Sequence, residues 1–217
     1  MHIPDGFISV GTAVVTYAGS AGAIAYSVRR TNKELHERQV PLMGVMAAFI
    51  FAAQMINFKV AGGTSGHLLG GALAAILLGP WAGTLILTAV LVVQALVFQD
   101  GGLIALGANI LNMAVIGVWS AYAIYELLRR ALPGDKGRWL AGFISAWASV
   151  VLASLACALE LAISGTSPLA VAVPAMGLVH MLIGVGEGLI TTAVLAFIAA
   201  TRKDLLALRT QNAGGEG

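Results

Sequence analysis

The sequence predicts an all-α membrane protein of seven transmembrane helices, with its N-terminus outside and its C-terminus cytoplasmic. Three observations carry that expectation. Hydrophobic residues make up 59% of the 217 and charged residues only 10%; a soluble domain carries about 25% charged residues, so this chain cannot clothe a water-facing surface and its solvent is lipid. The apolar residues fall in long runs rather than alternating with period two, which favours helices over a barrel. Eleven of the twelve Lys and Arg residues share one side of a seven-span count, whereas a six-span count splits them between the two faces.

The first apolar segment runs over Ile8–Val28 and is closed by Arg29, Arg30, Lys33 and Arg38. Ala23-Ile24-Ala25 has the look of a signal-peptide cleavage site, but no basic region precedes the apolar run, so the start is expected to be retained. The second segment, Val40–Asn57, carries Ala48 and Ala52, small residues four apart that allow another helix to approach closely. Packing within the bundle explains them equally well. The third, His67–Gly79, is short for a span and follows Gly62-Gly63-Thr64-Ser65-Gly66, which suggests a half-helix reached through a re-entrant loop. Gly79-Pro80 breaks it from the fourth, Trp81–Phe98.

Leu103–Leu128 follows, closed by Arg129, Arg130, Lys136 and Arg138, then Trp139–Ser164, then Met176–Ala200 with Arg202, Lys203 and Arg209 behind it. The positive-inside rule places these basic loops in the cytoplasm. Residues 1–206 read as a single membrane domain and 207–217 as a short, polar, disordered tail. Glu187 lies inside the last segment, where a carboxylate is a functional candidate by default; interhelical hydrogen bonding is its plainer reading. His180, Glu160 and Asp100 fall near outer helix ends and read as wet rim residues. Gln94, Asn109 and Asn112 read as interhelical glue.

Several functions are excluded. No Gly-x-x-x-x-Gly-Lys-Ser/Thr loop occurs, so ATP hydrolysis is not expected of the chain itself, and no His-Glu-x-x-His or nucleophile-elbow motif points to an enzyme. No basic cluster with interleaved aromatics suggests nucleic acid. The single Cys157 offers neither a disulfide framework nor a cysteine zinc site.

The chemistry lies at the start. His2 is too large for removal of the initiator, so Met1 is expected to keep a free α-amine. That amine, the His2 backbone nitrogen and the His2 imidazole can close two fused rings on one metal ion. The spans put His67 on the same outer face, where it can supply a fourth nitrogen. Four nitrogens in a plane suit Ni(II) or Cu(II), and Co(II) occupies related sites. Pro4 and Gly6 can turn the terminus back into the bundle. Asn57, Thr64 and Ser65 are placed to orient the His67 ring. Spacing alone leaves the alternative open: a second-position histidine is commonly just a residue, and a histidine in a Gly-rich loop just a turn residue.

MHIPDGF at the start, MINF at 55–58, GGTSGHLLGG at 62–71 and HMLIGVGEGLIT at 180–191 resemble the CbiM/NikM family. These are the substrate-capture (S) components of cobalt and nickel energy-coupling-factor importers. The resemblance runs from Met1 to about Leu206. It implies a seven-helix fold with the N-terminus folded into the bundle, in a prokaryotic cytoplasmic membrane. It implies metal ligation by the Met1 amine, the His2 amide nitrogen and imidazole, and His67. The cargo it implies is Co(II) or Ni(II), with no organic cofactor. Its implied partners are a transmembrane coupling protein, which would dock on the face of Ala48 and Ala52, a pair of cytoplasmic ATPases and a small accessory membrane subunit. Lys59 departs from the pattern, where a proline often follows Asn-Phe. The chain's stop soon after its seventh segment leans toward the cobalt branch, which supplies cobalamin biosynthesis; ligand chemistry alone leans to nickel. An autonomous metal channel is the rival reading, although the acidic residues cluster at helix ends rather than along a pore.

Overall fold

A computed structural model describes residues 1–35, 39–60 and 64–206. The tail expected at 207–217 lies outside the described residues, as do the side chains of Thr64 and Lys59. The described residues form seven helical rods and one hairpin. In chain order these are α1 (Val10–Glu34), α2 (Val40–Gln54), β1 (Asn57–Val60), β2 (Thr64–His67), α3 (Gly71–Leu78), α4 (Pro80–Phe98), α5 (Leu106–Ala131), α6 (Gly134–Ile163) and α7 (Leu169–Thr201). Four of them, α4 to α7, are long and apolar enough to cross a membrane.

Local chemistry explains the boundaries. Ser9 caps α1, its hydroxyl accepting from the Thr12 amide at 3.2 Å. The helix runs past its apolar part into its basic end, where an Arg30–Glu34 ion pair spans one turn. The expected break is present: Gly79 takes φ 85° to close α3, and Pro80 opens α4. The last helix starts at Leu169 rather than Met176 and contains Pro174. Pro174 lies in its second turn, so it removes a single backbone bond, to the carbonyl of Ala170, an exposed residue.

The third segment differs from expectation. His67 does not open a helix. It ends a two-stranded antiparallel hairpin whose register pairs Asn57 with His67 and Val60 with Thr64. Only Gly71–Leu78 is helical, and all eight of its residues are buried. This short helix fills the centre of the bundle against α4 and α5, while α6 packs along α7 and α1 along α4 and α5. The α1–α5 approach is close enough that a Cβ on Gly107 would sit 2.7 Å from the Tyr17 backbone, and Ser20 donates to the Gly107 carbonyl at 2.7 Å.

Two rods loosen into π-helical turns, at Gln94–Phe98 in α4 and Ile110–Gly117 in α5. Such turns recur at functional sites. Here they lie beside Gln94 and Asn109, the side chains that grip the N-terminus.

Candidate metal centre

The N-terminus is a core element. Met1 and Ile3 are fully buried and His2 is 4% exposed. The turn expected at Pro4–Gly6 is present: the Phe7 amide donates to the Pro4 carbonyl at 3.4 Å, and Gly6 adopts φ 88°, the left-handed third position of a type II turn. It reverses the chain so that residues 1–3 run inward.

Three helices, α4, α5 and α6, and the loops beside them then hold these residues. On α5, Asn109 brackets Ile3, its Oδ1 accepting from the Ile3 amide at 2.8 Å and its Nδ2 donating to the Ile3 carbonyl at 3.1 Å. The Gly102 amide, just before α5, reaches the same carbonyl at 2.9 Å. On α6, the Cys157 thiol lies 3.8 Å from the Met1 carbonyl. Asp5 accepts from the amides of Leu103 and Ile104 at 3.1 and 2.7 Å. Thr166, beyond α6, donates to the Phe7 carbonyl at 2.6 Å.

The structure brings Met1, His2 and His67 together. The Met1 amine donates to the Ser65 carbonyl, and the His2 amide donates to Ser65 Oγ at 3.3 Å. The His2 and His67 rings stack with centroids 4.5 Å apart and planes at 27°. The described residues contain no group of three His, Cys, Asp or Glu side chains able to hold a metal.

The hydrogen bonds decide which ring nitrogens are available. His67 Nδ1 donates to the Leu68 carbonyl at 2.7 Å, so its Nε2 keeps a lone pair; that atom is buried and unpartnered. For His2 the tautomer follows from a chain of three bonds. The Leu69 carbonyl can only accept, so Gln54 must present its NH2 there, at 2.8 Å. Gln54 Oε1 then accepts from Gln94 Nε2 at 3.0 Å, and Gln94 Oε1 lies 3.1 Å from His2 Nε2. The proton must sit on His2 Nε2, leaving Nδ1 with a free lone pair. Nδ1 is the nitrogen that closes a six-membered chelate ring with the His2 amide.

Burial keeps these groups neutral. It lowers the Met1 amine to about 5 and His2 to about 3, and it holds His67 well below the usual imidazole range. The terminus and hairpin thus offer an uncharged amine, an amide and two imidazole lone pairs in a dry space, a donor set suited to Ni(II), Cu(II) or Co(II).

Three expectations need correction. Asn57 and Ser65 do not orient the His67 ring. Ser65 holds the Met1 amine, the exposed Asn57 side chain bonds Asp100, and the Leu68 carbonyl fixes the ring. His180 and Glu160 are not wet rim residues. His180 is fully buried, its Nδ1 bonded to the Met176 carbonyl at 2.7 Å, and Glu160 is 8% exposed and accepts from Asn112 at 2.6 Å. Glu187 bonds no helix side chain; its two oxygens accept from the Leu69 and Gly70 amides at 2.8 and 2.6 Å, pinning the segment after His67. Gln54, Gln94 and Asn109 carry more than helix packing. Polar residues within apolar runs were the only sequence sign of them. Ala48 and Ala52 lie exposed on α2, away from this centre.

Residues 2–205 match the family model described as "Cobalt uptake substrate-specific transmembrane region". The chain belongs to the CbiM family. Among its relatives, a putative fused nickel transport protein NikMN of Archaeoglobus fulgidus is 43% identical over 95% of this chain and 68% of its own length. The cobalt transport protein CbiM 1 of Pelobacter propionicus is 35% identical over 100% of this chain and 99% of its own. A crystal structure of a truncated transition metal transporter superposes with a TM-score of 0.86 at 36% identity, covering 92% of this chain and 99% of that one. As a CbiM-family member the chain is a cobalt or nickel transport protein with a membrane-helix fold.

Proposed function

We propose that the chain is the metal-binding subunit of an ATP-driven importer that captures Co(II) at the outer face of the cytoplasmic membrane. The observation that supports this reading is that the buried Met1 amine, the His2 amide with its free Nδ1, and His67 with its unpartnered Nε2 lie side by side, the two rings stacked. These are the four proposed ligands. Deprotonation of the His2 amide on binding would complete a planar set.

The topology we propose has seven crossings, N-terminus outside. In its support, Arg29 and Arg30 close α1 and Arg129 and Arg130 close α5, at the ends of those helices remote from Met1. The terminal amine then faces the side from which metal arrives, and the basic ends meet the cytoplasm. A coupling protein, an ATPase pair and a small accessory membrane subunit complete the proposed importer. The relatives named as fused support that association, since each extends beyond the part this chain matches. The exposed face bearing Ala48 and Ala52 is the proposed coupling contact. Nickel is the second reading for the cargo. It is favoured by the all-nitrogen donor set, because affinity rises from Co(II) to Ni(II).

The test adds one glycine before Met1 and, separately, makes His2→Ala and His67→Ala. Bound cobalt and nickel are measured in purified protein, and uptake in cells with and without the ATPases. Each change is expected to abolish tight binding, the extension because it converts the amine to an amide in a fully enclosed space. Unchanged binding in the extended chain overturns the amine-ligand reading. Uptake without the ATPases overturns the importer reading in favour of a channel.

A further inference from the structure

The four proposed ligands are enclosed, which leaves open how a hydrated dication reaches them. Met1 and His67 are fully buried and His2 nearly so. The Asp100 side chain differs. It keeps 20% of its surface exposed, yet its Oδ1 lies 3.3 Å from His2 Nδ1. It thus spans the distance between outer water and a ligand atom.

The backbone holds Asp100 there by an unusual turn. Gln99 adopts φ 55°, alone among the described non-glycine residues in being left-handed, and Gly101 follows with φ 95°. The Asp100 amide reaches back to the Gln94 carbonyl at 3.0 Å. A Cβ on Gly101 would lie 3.2 Å from His2 Cδ2 and 3.0 Å from Asn109 Nδ2, so the turn packs directly on the terminus. Asn57 donates to the carboxylate from the hairpin side. A cavity of about 350 Å³, lined by Pro4, Asp5, Gln99, Gly101 and Gly102 among others, lies beside the turn.

The contact itself points to a cation. The relay from Leu69 places the His2 proton on Nε2, so Nδ1 presents a lone pair. It makes no hydrogen bond. With Asp100 ionised, a carboxylate oxygen faces a nitrogen lone pair at 3.3 Å, two electron donors that a shared proton or a metal ion would hold together. Two ligands on one ion, each at about 2.0–2.2 Å and at a right angle, stand about 3 Å apart. The spacing fits one ion held by both atoms at once.

We propose that Asp100 is the receiving ligand: its carboxylate takes the hydrated metal ion from the outer water and passes it to His2 Nδ1, after which the amine, the amide and His67 close around it. The inference rests on the proposed metal site and adds its route of loading. The completed site contains no carboxylate, so Asp100 is a ligand of the path and not of the bound state. It lowers the barrier in both directions and acts on rates more than on affinity.

The experiment uses the full-length purified protein and Ni(II), followed by the visible absorption of amide-bound nickel in rapid mixing. Asp100→Asn keeps the size and the Asn57 contact but removes the charge. The on-rate is expected to fall about 10-fold or more at low salt, within the range by which focused charge raises association rates. The off-rate falls with it, so Kd moves less than about 3-fold by the same reasoning, and the spectrum of the loaded protein stays unchanged. Asp100→Glu is expected to recover most of the on-rate. An on-rate unchanged in Asp100→Asn overturns the proposal. So does an altered spectrum with faster release, which makes Asp100 a resident ligand. Should Asp100→Asn fail to fold, the wild-type on-rate decides. It must fall several-fold between low salt and about 0.3 M salt, where charge is screened within about 6 Å; a flat dependence overturns the proposal. Failure of the wild-type protein to bind nickel or cobalt at all refutes the metal site itself and is distinct from these outcomes.

Discussion

Gln94→Leu isolates the relay that sets the His2 tautomer. Leucine nearly matches glutamine in size, so the cavity term is small. Two buried polar atoms lose their partners: the His2 Nε2 proton loses Gln94 Oε1 at 3.1 Å, and Gln54 Oε1 loses its donor at 3.0 Å. Hydrogen bonds in this environment contribute about 0.6–1.7 kcal/mol each, so a destabilisation of about 1–3 kcal/mol is expected. Metal affinity should fall separately. With no acceptor on Nε2, the proton is free to move to Nδ1, and the chelate atom is blocked. Loss of a partner that orients a ligating histidine costs about 10–100-fold in affinity. Gln54→Leu tests the same relay one step back. It orphans Gln94 Nε2 and the Leu69 carbonyl, a comparable loss of stability, and frees Gln94 to turn its NH2 toward the histidine, so affinity should fall here too, by less than in Gln94→Leu because Oε1 can still accept from Nε2 in one orientation. Thermal unfolding of the metal-free proteins and nickel titration against a competing chelator read the two quantities. A Gln94→Leu affinity within about 3-fold of wild type, which is below that range, or a larger affinity loss in Gln54→Leu than in Gln94→Leu, refutes the tautomer argument.

Two further outcomes follow from the same geometry. The Met1 amine is held near 5 when docked and returns to about 8 when the terminus is free. The free form binds the extra proton between these values, so docking weakens as pH falls from 8 to 5, by about 4 kcal/mol across that window. The protection factor of the Ile3 amide, its exchange rate measured against that of an unstructured amide at the same pH, should fall through this window, and a pH-independent protection factor refutes the burial argument. Glu187→Gln replaces one acceptor oxygen with an NH2 facing a backbone amide, at Leu69 or Gly70. With about 1–3 kcal/mol lost at the segment after His67, metal release should quicken while the helices keep their circular dichroism; an unchanged off-rate shows that the segment is held by other means.

Much of this architecture was legible because it rests on features local in sequence. Hydropathy located the helical rods, Gly79-Pro80 the break, and Pro4–Gly6 the turn. The basic residues put His2 and His67 on one face. The hairpin was not legible. Its strands have four residues each, Asn57–Val60 and Thr64–His67, too short and too polar to show alternation. His180 and Glu160 were misplaced for another reason. Position near a helix end suggests solvent only if the bundle's interior is apolar, and here the interior holds the chain's own terminus. A plug made of backbone needs buried polar partners, and α4, α5 and α6 provide them. The partners of Gln94 and Asn109 are nearly a hundred residues distant in sequence, and no periodicity encodes such pairing.

The same distribution bears on release. The segments that carry the proposed ligands are anchored to different parts of the bundle: His2 through Gln94 on α4, its neighbour Ile3 through Asn109 on α5, the Met1 carbonyl beside Cys157 on α6, and the residues after His67 through Glu187 on α7 and Gln54 on α2. Short-range donor contacts do not stretch. A metal–nitrogen bond of about 2 Å is lost when one anchor moves by an ångström or two relative to another. The hairpin is the natural mover, because it joins the bundle mainly through α7 and Gln54, whereas the terminus is tied to α4, α5 and α6. A partner that tilted α7 against the other three would withdraw His67 and leave the ion on the three-nitrogen chelate of Met1 and His2. Removing one ligand opens a coordination position at which water competes. On the proposed ligand set, release would require no unfolding of the terminus, only a change in the spacing of the helices that carry the ligands' supports.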